Sequence, residues 1–322
     1  MLGVAVLAPI TAELLQAYLG DIGGPFGLIA LVVFFAPLYG GAALLIREVA
    51  VRTGRGWPGR LLLATAFGVA MPTLVDASLF TVSRPDVDHW REIVTAASFA
   101  GIGWAAAVSW VAGHVLLSIS APLVLVENLT RRRGPWLGPI GLGVTTILML
   151  LVAGYTHHEQ VSSFDVRAGT GQYVVSAILV AVLVVAAMTP VGRPLRKVAG
   201  RSAAPPWLCV VIGAAVVAVF DVVPIPWLGL AIELAVLTAA GLLALRWSRS
   251  TGWGSRHVAG LAFGAVLART VVGFLAAVPP GSTWTEKIVQ NVLYLMLVLA
   301  LGVVLERRTR ADRSKNTGGT TR

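Results

Sequence analysis

Ten long apolar stretches follow one another along the chain, separated by short polar gaps. At about 1.5 Å of rise per residue, each is long enough to cross the roughly 30 Å hydrocarbon core of a bilayer as a helix. A helix also satisfies its own backbone polar groups where lipid offers no partner. Spans are predicted at Leu2 to Leu19, Phe26 to Ile46, Leu61 to Val82, Phe99 to Val126, Leu137 to Tyr155, Tyr173 to Thr189, Trp207 to Val223, Ile225 to Leu245, Val258 to Val278 and Ile288 to Leu305. The fold class that follows is all-α, a polytopic transmembrane helix bundle of about ten spans. Residues 1–305 form one membrane domain. Residues 306–322 form a disordered basic cytoplasmic tail, because the chain after Leu305 turns polar, charged and rich in Gly and Thr.

The gaps are alternately rich and poor in Lys and Arg. Most of the 25 basic residues lie on one side: from Arg47 to Arg60, at Arg131 to Arg133, from Arg193 to Arg201, from Arg246 to Arg256, and in the tail. The other side holds Arg84, Arg91, Arg167 and Lys287, and Arg269 lies inside a span. The positive-inside rule makes the rich side cytoplasmic, and an even span count then places both termini there. Tryptophan agrees, since Trp57, Trp90, Trp136, Trp207, Trp227, Trp247, Trp253 and Trp284 all fall at span ends, where an amphipathic ring prefers to sit. The first stretch contains Pro9 and Glu13 and lacks the basic region and cleavage site of a secretory signal, so it reads as a retained span. The address implied is a cell membrane, which the chain crosses many times.

Composition sharpens this picture in two places. With 57% hydrophobic and 12% charged residues, the chain has too little polar surface to solvate a globule of its size. The net charge of +10 raises the question of nucleic acid, but its confinement to one face points instead to anionic lipid head groups. The single Cys209, in an apolar helix, reads as a small core residue.

An ionisable side chain in hydrocarbon needs a partner or water, so each one inside a span is a functional candidate. These are Glu13, Asp76, His114, Glu233 and Arg269, with Asp221 and Glu127 nearer span ends. Glu13, Asp76, Glu233 and Arg269 fall roughly 9 to 14 Å below the outer end of their spans at helical rise. At similar depth on consecutive spans, Glu233 and Arg269 are expected to form an ion pair, either a structural lock or a functional one. Glu13 and Asp76 are then the acids left over. Each either carries a proton for a coupled transporter or hydrogen-bonds, protonated, to a neighbouring Ser, Thr or Tyr. Trp110, His114 and Ser118 are spaced four apart and share a helix face before Pro122; they are candidates for binding substrate or protons, or for helix-to-helix hydrogen bonds. Gln290, Asn291 and Tyr294 in the last span, and Thr11 and Gln16 in the first, add polar groups to the outer half. Together they predict a water-accessible, net acidic pocket opening outward.

No nucleotide loop, zinc-protease pair or Gly-x-Ser-x-Gly elbow is present, so no catalytic set, cofactor or metal is expected. His157 and His158 are adjacent and diverge. Asp86, Asp88 and His89 form an outer segment that reads as a solvated loop before it reads as a cation site. The segment from Tyr39 to Glu48 with Gly54 to Trp57, and His114, Ser118, Ile119 and Pro122 to Glu127, resemble stretches of uncharacterised prokaryotic multi-pass membrane proteins over about the first 130 residues. Members often carry a Glu-Glu pair where this chain has Met71 and Pro72. That pair plus intramembrane histidines would be similar to the CPBP-type intramembrane metalloproteases. Here only Glu48 and Arg52 keep a Glu-x-x-x-Arg spacing and His114 is the sole histidine in a span, so too few ligands remain to activate a water.

The function expected on these grounds is proton-coupled transport of a small or amphiphilic solute. Two alternatives stay open. One is an intramembrane enzyme acting on a lipid or isoprenoid, with Asp76 or Glu13 as general acid; the other is a non-catalytic accessory subunit.

Overall fold

A computed structural model describes residues 1–16, 25–87, 89–130, 132–222, 226–279 and 281–317. Helices occupy all ten predicted regions: α1 (Leu2–Leu14), α2 (Phe26–Arg52), α3 (Trp57–Val75), α5 (Trp104–Thr130), α6 (Pro139–Ser163), α7 (Thr170–Met188), α8 (Pro206–Val222), α9 (Pro226–Ser248), α10 (Ser255–Val272) and α11 (Trp284–Thr317). Seven of these helices are long and apolar enough to cross a membrane. α1 and α8 are apolar but shorter, and α10 carries Arg256 and Arg269. Proline stands in the first turn of α3, α6, α8 and α9, where its missing N–H is one of the groups left unbonded anyway.

The ends differ from the hydropathy pattern for local reasons. α3 stops at Val75, not Val82, because Ala77 takes a left-handed backbone (φ 50°) and the chain then passes through a 3₁₀ turn into strand β1 (Thr81–Ser83). A short helix, α4 (Trp90–Thr95), and a hairpin of β2 (Ser98–Phe99) with β3 (Ile102–Gly103) take up what looks like the start of the fourth span. β1 pairs antiparallel with β4 (Asp165–Val166). Arg84 clamps this cap of short elements, bonding Asp86 at 2.6 Å with its guanidinium 4.6 Å from the Phe164 ring centroid. Asp88 lies outside the described residues. At the other end, α11 runs on to Thr317. Residues 306–317 continue this helix: Glu, Arg, Ala and Lys are good helix formers and no Gly or Pro intervenes before Gly318.

Packing is organised around α5. One core joins Leu14 and Leu15 of α1, Leu117, Val124 and Leu125 of α5, Val217 of α8, Val266 of α10 and Tyr294 of α11; a second joins α5 to α2, α3 and α7. The tightest seam is between α8 and α10, where Gly213 and Gly264 let the backbones touch. A Cβ on either would run into the carbonyl oxygen of Leu261 or Val210. Outward faces are the reverse of a soluble protein's. No residue of α6 is buried, and Ile140 (84% exposed), Leu151, Val175, Val185 and Leu297 form apolar surfaces of the kind hydrocarbon covers.

Four helices contain a π-helical turn: Ile10–Leu14 in α1, Ala36–Gly40 in α2, Met71–Val75 in α3 and His114–Ser120 in α5. A proline sits within or beside each, at Pro9, Pro37, Pro72 and Pro122. Proline removes an N–H and crowds the carbonyl four residues back, so the neighbouring turn widens to relieve it.

Candidate functional site

The π turns of α1, α2 and α5 meet one another, with α3 alongside, and side chains on them form one connected group. Tyr39, 2% exposed, donates its phenol hydrogen to Glu13 Oε1. Its ring lies nearly parallel to the His114 imidazole, with centroids 5.9 Å apart and planes at 20°. Phe67 of α3 presents its edge to both rings. His114 Nδ1 and Ser118 Oγ are 3.0 Å apart, and Thr11 Oγ1 donates to the Leu117 carbonyl at 2.7 Å, tying α1 to the widened turn of α5. Ser118 and Thr11 are buried, whereas Glu13 and His114 are only half-buried. Wide turns leave backbone carbonyls and side chains in non-helical positions, which is why they recur at functional sites. The carboxyl–phenol and imidazole–hydroxyl contacts are two hydrogen-bonded pairs held side by side by the ring stack, and each pair can hold a proton. Tyr39 is the member the sequence reading did not single out. A tyrosine between Pro37 and two glycines in the middle of a span was the available signal.

Two sequence-selected residues stand apart from this group. Trp110 lies one turn before His114 and stacks on Trp90 of α4, centroids 5.6 Å apart, beside the small core of Ala77, Leu79, Phe80, Ala106 and Ala107. The spacing of four that places it with His114 breaks down where the helix changes pitch at His114. Asp76 lies just past the end of α3, where its Oδ1 accepts the Ser78 N–H at 2.9 Å and pins the turn that leaves the helix. It remains within electrostatic reach of Glu13.

The expected Glu233–Arg269 pair is not formed. Arg269 bonds Asp221 at 2.5 Å, and Gln16 donates to the same carboxylate at 2.9 Å. The reason is helix order in space: the glycine seam puts the end of α8, not α9, against α10. Glu233, 4% exposed, accepts instead from Ser109 Oγ of α5 at 3.1 Å, and its Oε2 has no hydrogen-bond partner. Lys287, assigned by its position to the outer surface, is fully buried. Its ammonium donates to the carbonyls of Gly273 (2.9 Å) and Gln16 (3.3 Å), at the C-terminal ends of α10 and α1, where helix dipoles favour a cation.

At the end of the bundle where α2 meets α3, basic residues that mark topology in the sequence are also bound into an ion-pair network. Arg47 and Glu48 are both fully buried. Arg47 bonds Glu127 at 2.7 Å and Glu48 at 3.2 Å, donates to the carbonyls of Arg132 and Gly134, and lies 3.6 Å over the Trp136 ring. Arg60 takes the other oxygen of Glu127 at 2.8 Å, and Glu48 accepts the Trp136 N–H at 2.6 Å. α2, α3, α5 and the following loop are thus stapled by one network. The Glu48–Arg52 spacing serves that staple, with 3.3 Å between the groups.

A cavity of about 650 Å³ lies between α3, α5 and α7, with Leu237 of α9 at its side. Its lining is apolar, including Val69, Val108, Val111 and Leu179, with Phe80 and Trp104 toward the outer end. It is not the acidic hollow expected from the sequence: Glu13, Asp76 and Glu233 are not among its lining residues, and they bond Tyr39, Ser78 and Ser109. Among the described residues no three His, Cys, Asp or Glu side chains gather as a metal would require. Comparison with known proteins returns no match: no family model fits the chain, and no curated protein and no solved structure is similar to it.

Proposed function

We propose that the chain is a ten-span protein of a prokaryotic cell membrane, with both ends in the cytoplasm, that moves an amphiphilic solute together with protons. The observation that carries this reading is the linked Glu13–Tyr39–His114–Ser118 group where the π turns meet. Ionisable groups are retained in a membrane interior where they serve transfer or binding, and wide helical turns supply the compliance that alternating access needs. The neighbouring apolar cavity has the size of a pocket for a drug-sized molecule. The basic cytoplasmic face suits anionic lipid head groups.

The test is proton flux in proteoliposomes carrying an internal pH dye, with amphiphilic solutes added from outside. Solute-dependent flux is expected from the native protein, and its loss in Glu13→Gln with insertion unchanged. Undiminished flux in that variant removes the coupling role. A second reading, an intramembrane enzyme acting on a lipid, draws on Thr73, Leu79 and Phe80, which flank Asp76 in sequence and line the cavity. It requires a covalently changed lipid, detectable by mass spectrometry with no gradient imposed, and Asp76→Asn would stop its formation.

A further inference from the structure

We infer that the cavity between α3, α5 and α7 is a binding site for an uncharged long-chain lipophile, whose hydroxyl or carbonyl head bonds Ser176. No side chain in its wall carries a charge, so the space offers nothing to offset the removal of an ion from water. Its polar groups are nearly all spent. The Thr65 and Thr73 hydroxyls donate to the carbonyls of Leu61 (2.8 Å) and Val69 (2.6 Å), and the Trp104 indole N–H donates to that of Phe99. Gln172 turns back to its own helix start, where its Oε1 accepts the Gly169 N–H at 2.8 Å. Ser176 of α7 is the exception. It lines the cavity and is 7% exposed, and among the described residues its hydroxyl makes no hydrogen bond.

A serine hydroxyl both donates and accepts, so it can bond an alcohol or a carbonyl. Ser176 stands about 9 Å along α7 from Thr170 at helical rise, a depth at which hydrocarbon supplies no competing partner. The remaining wall sets the body of the ligand. Val69, Val108, Val111 and Leu179 present only hydrocarbon, and 650 Å³ lies within the range of pockets that enclose a whole small molecule. Entry is from the side. Val175 and Leu179 belong both to the wall and to the apolar outward face, at 65% and 44% exposed, so the cavity is continuous with the surface that hydrocarbon covers. A lipophile dissolved in the bilayer reaches Ser176 without crossing water, and an ionic head of either sign finds no counter-charge there.

This assignment rests on the transport reading only in calling that ligand a cargo, and binding tests it separately. The purified full chain in nanodiscs would be irradiated with hexadecanol carrying a diazirine in its chain, and the labelled residues located by mass spectrometry. Labelling of Val108 and Leu179 that excess hexadecanol displaces is expected. Hexadecyl sulfate, with the same chain and a charged head, should displace it far less. Ser176→Ala should raise the hexadecanol concentration for half-displacement by about three- to tenfold, the effect of one hydrogen bond lost inside a membrane. Val108→Trp, which fills the cavity and leaves the hydroxyl in place, should abolish displaceable labelling of Leu179 and serves as the second variant if Ser176→Ala does not fold. Equal displacement by the two competitors, or unchanged half-displacement in a folded Ser176→Ala or Val108→Trp protein, overturns the site. Ser176-dependent binding without solute-coupled proton flux in proteoliposomes leaves the site standing and sinks the transport reading. Coupled flux of another solute with no displaceable labelling does the opposite.

Discussion

The phenol of Tyr39 reaches Glu13 while its ring lies 5.9 Å from that of His114, so one side chain joins two helices' ionisable groups. Removing only the hydroxyl separates its two roles. Tyr39→Phe keeps the stack and takes away the donor to Glu13. Stability should fall by about 1–3 kcal/mol, the effect of a buried group losing its partner. Solute-coupled proton flux should fall much further. Thermal unfolding in detergent and flux in proteoliposomes, measured on one preparation, check both. Flux that tracks stability alone would reduce Tyr39 to a packing residue.

Arg47 is the centre of the ion-pair staple joining α2, α3 and α5 and has no exposed surface. Arg47→Met leaves Glu48 and Glu127 short of their cation in a dry setting, and such broken buried pairs typically lose about 3–5 kcal/mol. Arg52→Ala, with its side chain 39% exposed, should lose no more than about 1 kcal/mol. The ordering of the two melting temperatures is the measurement. Faster trypsin cleavage at Arg132 and Arg133 in Arg47→Met would follow, since Arg47 holds that loop by two of its carbonyls.

The partner of Arg269 can be read energetically. In a double-mutant cycle, Asp221→Asn and Arg269→Met should be coupled by about 0.5–3 kcal/mol, as contacting residues are. Glu233→Gln combined with Arg269→Met should be additive to within about 0.5 kcal/mol. Coupling of the second pair in place of the first would reverse the assignment.

The α8–α10 seam admits no added carbon at Gly264, whose Cβ would collide with the backbone of Val210. Gly264→Ala should destabilise by about 1–3 kcal/mol through overpacking. Gly154 of α6 has nothing within 4 Å of the same position. Gly154→Ala should be neutral or slightly stabilising, by up to about 1 kcal/mol from helix propensity. Thermal midpoints of the two variants make the comparison.

Orientation is open to a labelling experiment, because Cys209 is the only cysteine. In a Cys209→Ala background, a cysteine introduced by Asp86→Cys should react with an impermeant maleimide in intact cells. One introduced by Arg196→Cys should react only after the membrane is opened. Labelling of both from outside would refute the two-ends-in arrangement.

Much of the scaffold was legible before any coordinates. Each of the ten apolar stretches holds a helix, and the eight tryptophans placed at span ends sit at helix ends or beside them. Glu13, His114 and Ser118 were recognisable as buried polar groups. Their grouping was not, because Tyr39 enters through a widened turn and Trp110 leaves by the pitch change at His114. The prolines marked where helices would be disturbed, without telling in which direction.

Residue order alone settled where the chain is oily, how long each oily run is, and which gaps carry positive charge. These are sums over single residues: the transfer of each side chain out of water adds along some twenty positions, whatever its neighbours in space. Which charge meets which came from the folded arrangement. Asp221, not Glu233, reaches Arg269, and Arg47 sinks between Glu48 and Glu127, because pairing depends on the rotation of each helix about its axis and on which helices are adjacent. A residue advances about 100° around a helix, so one π turn or one glycine seam redirects every side chain beyond it.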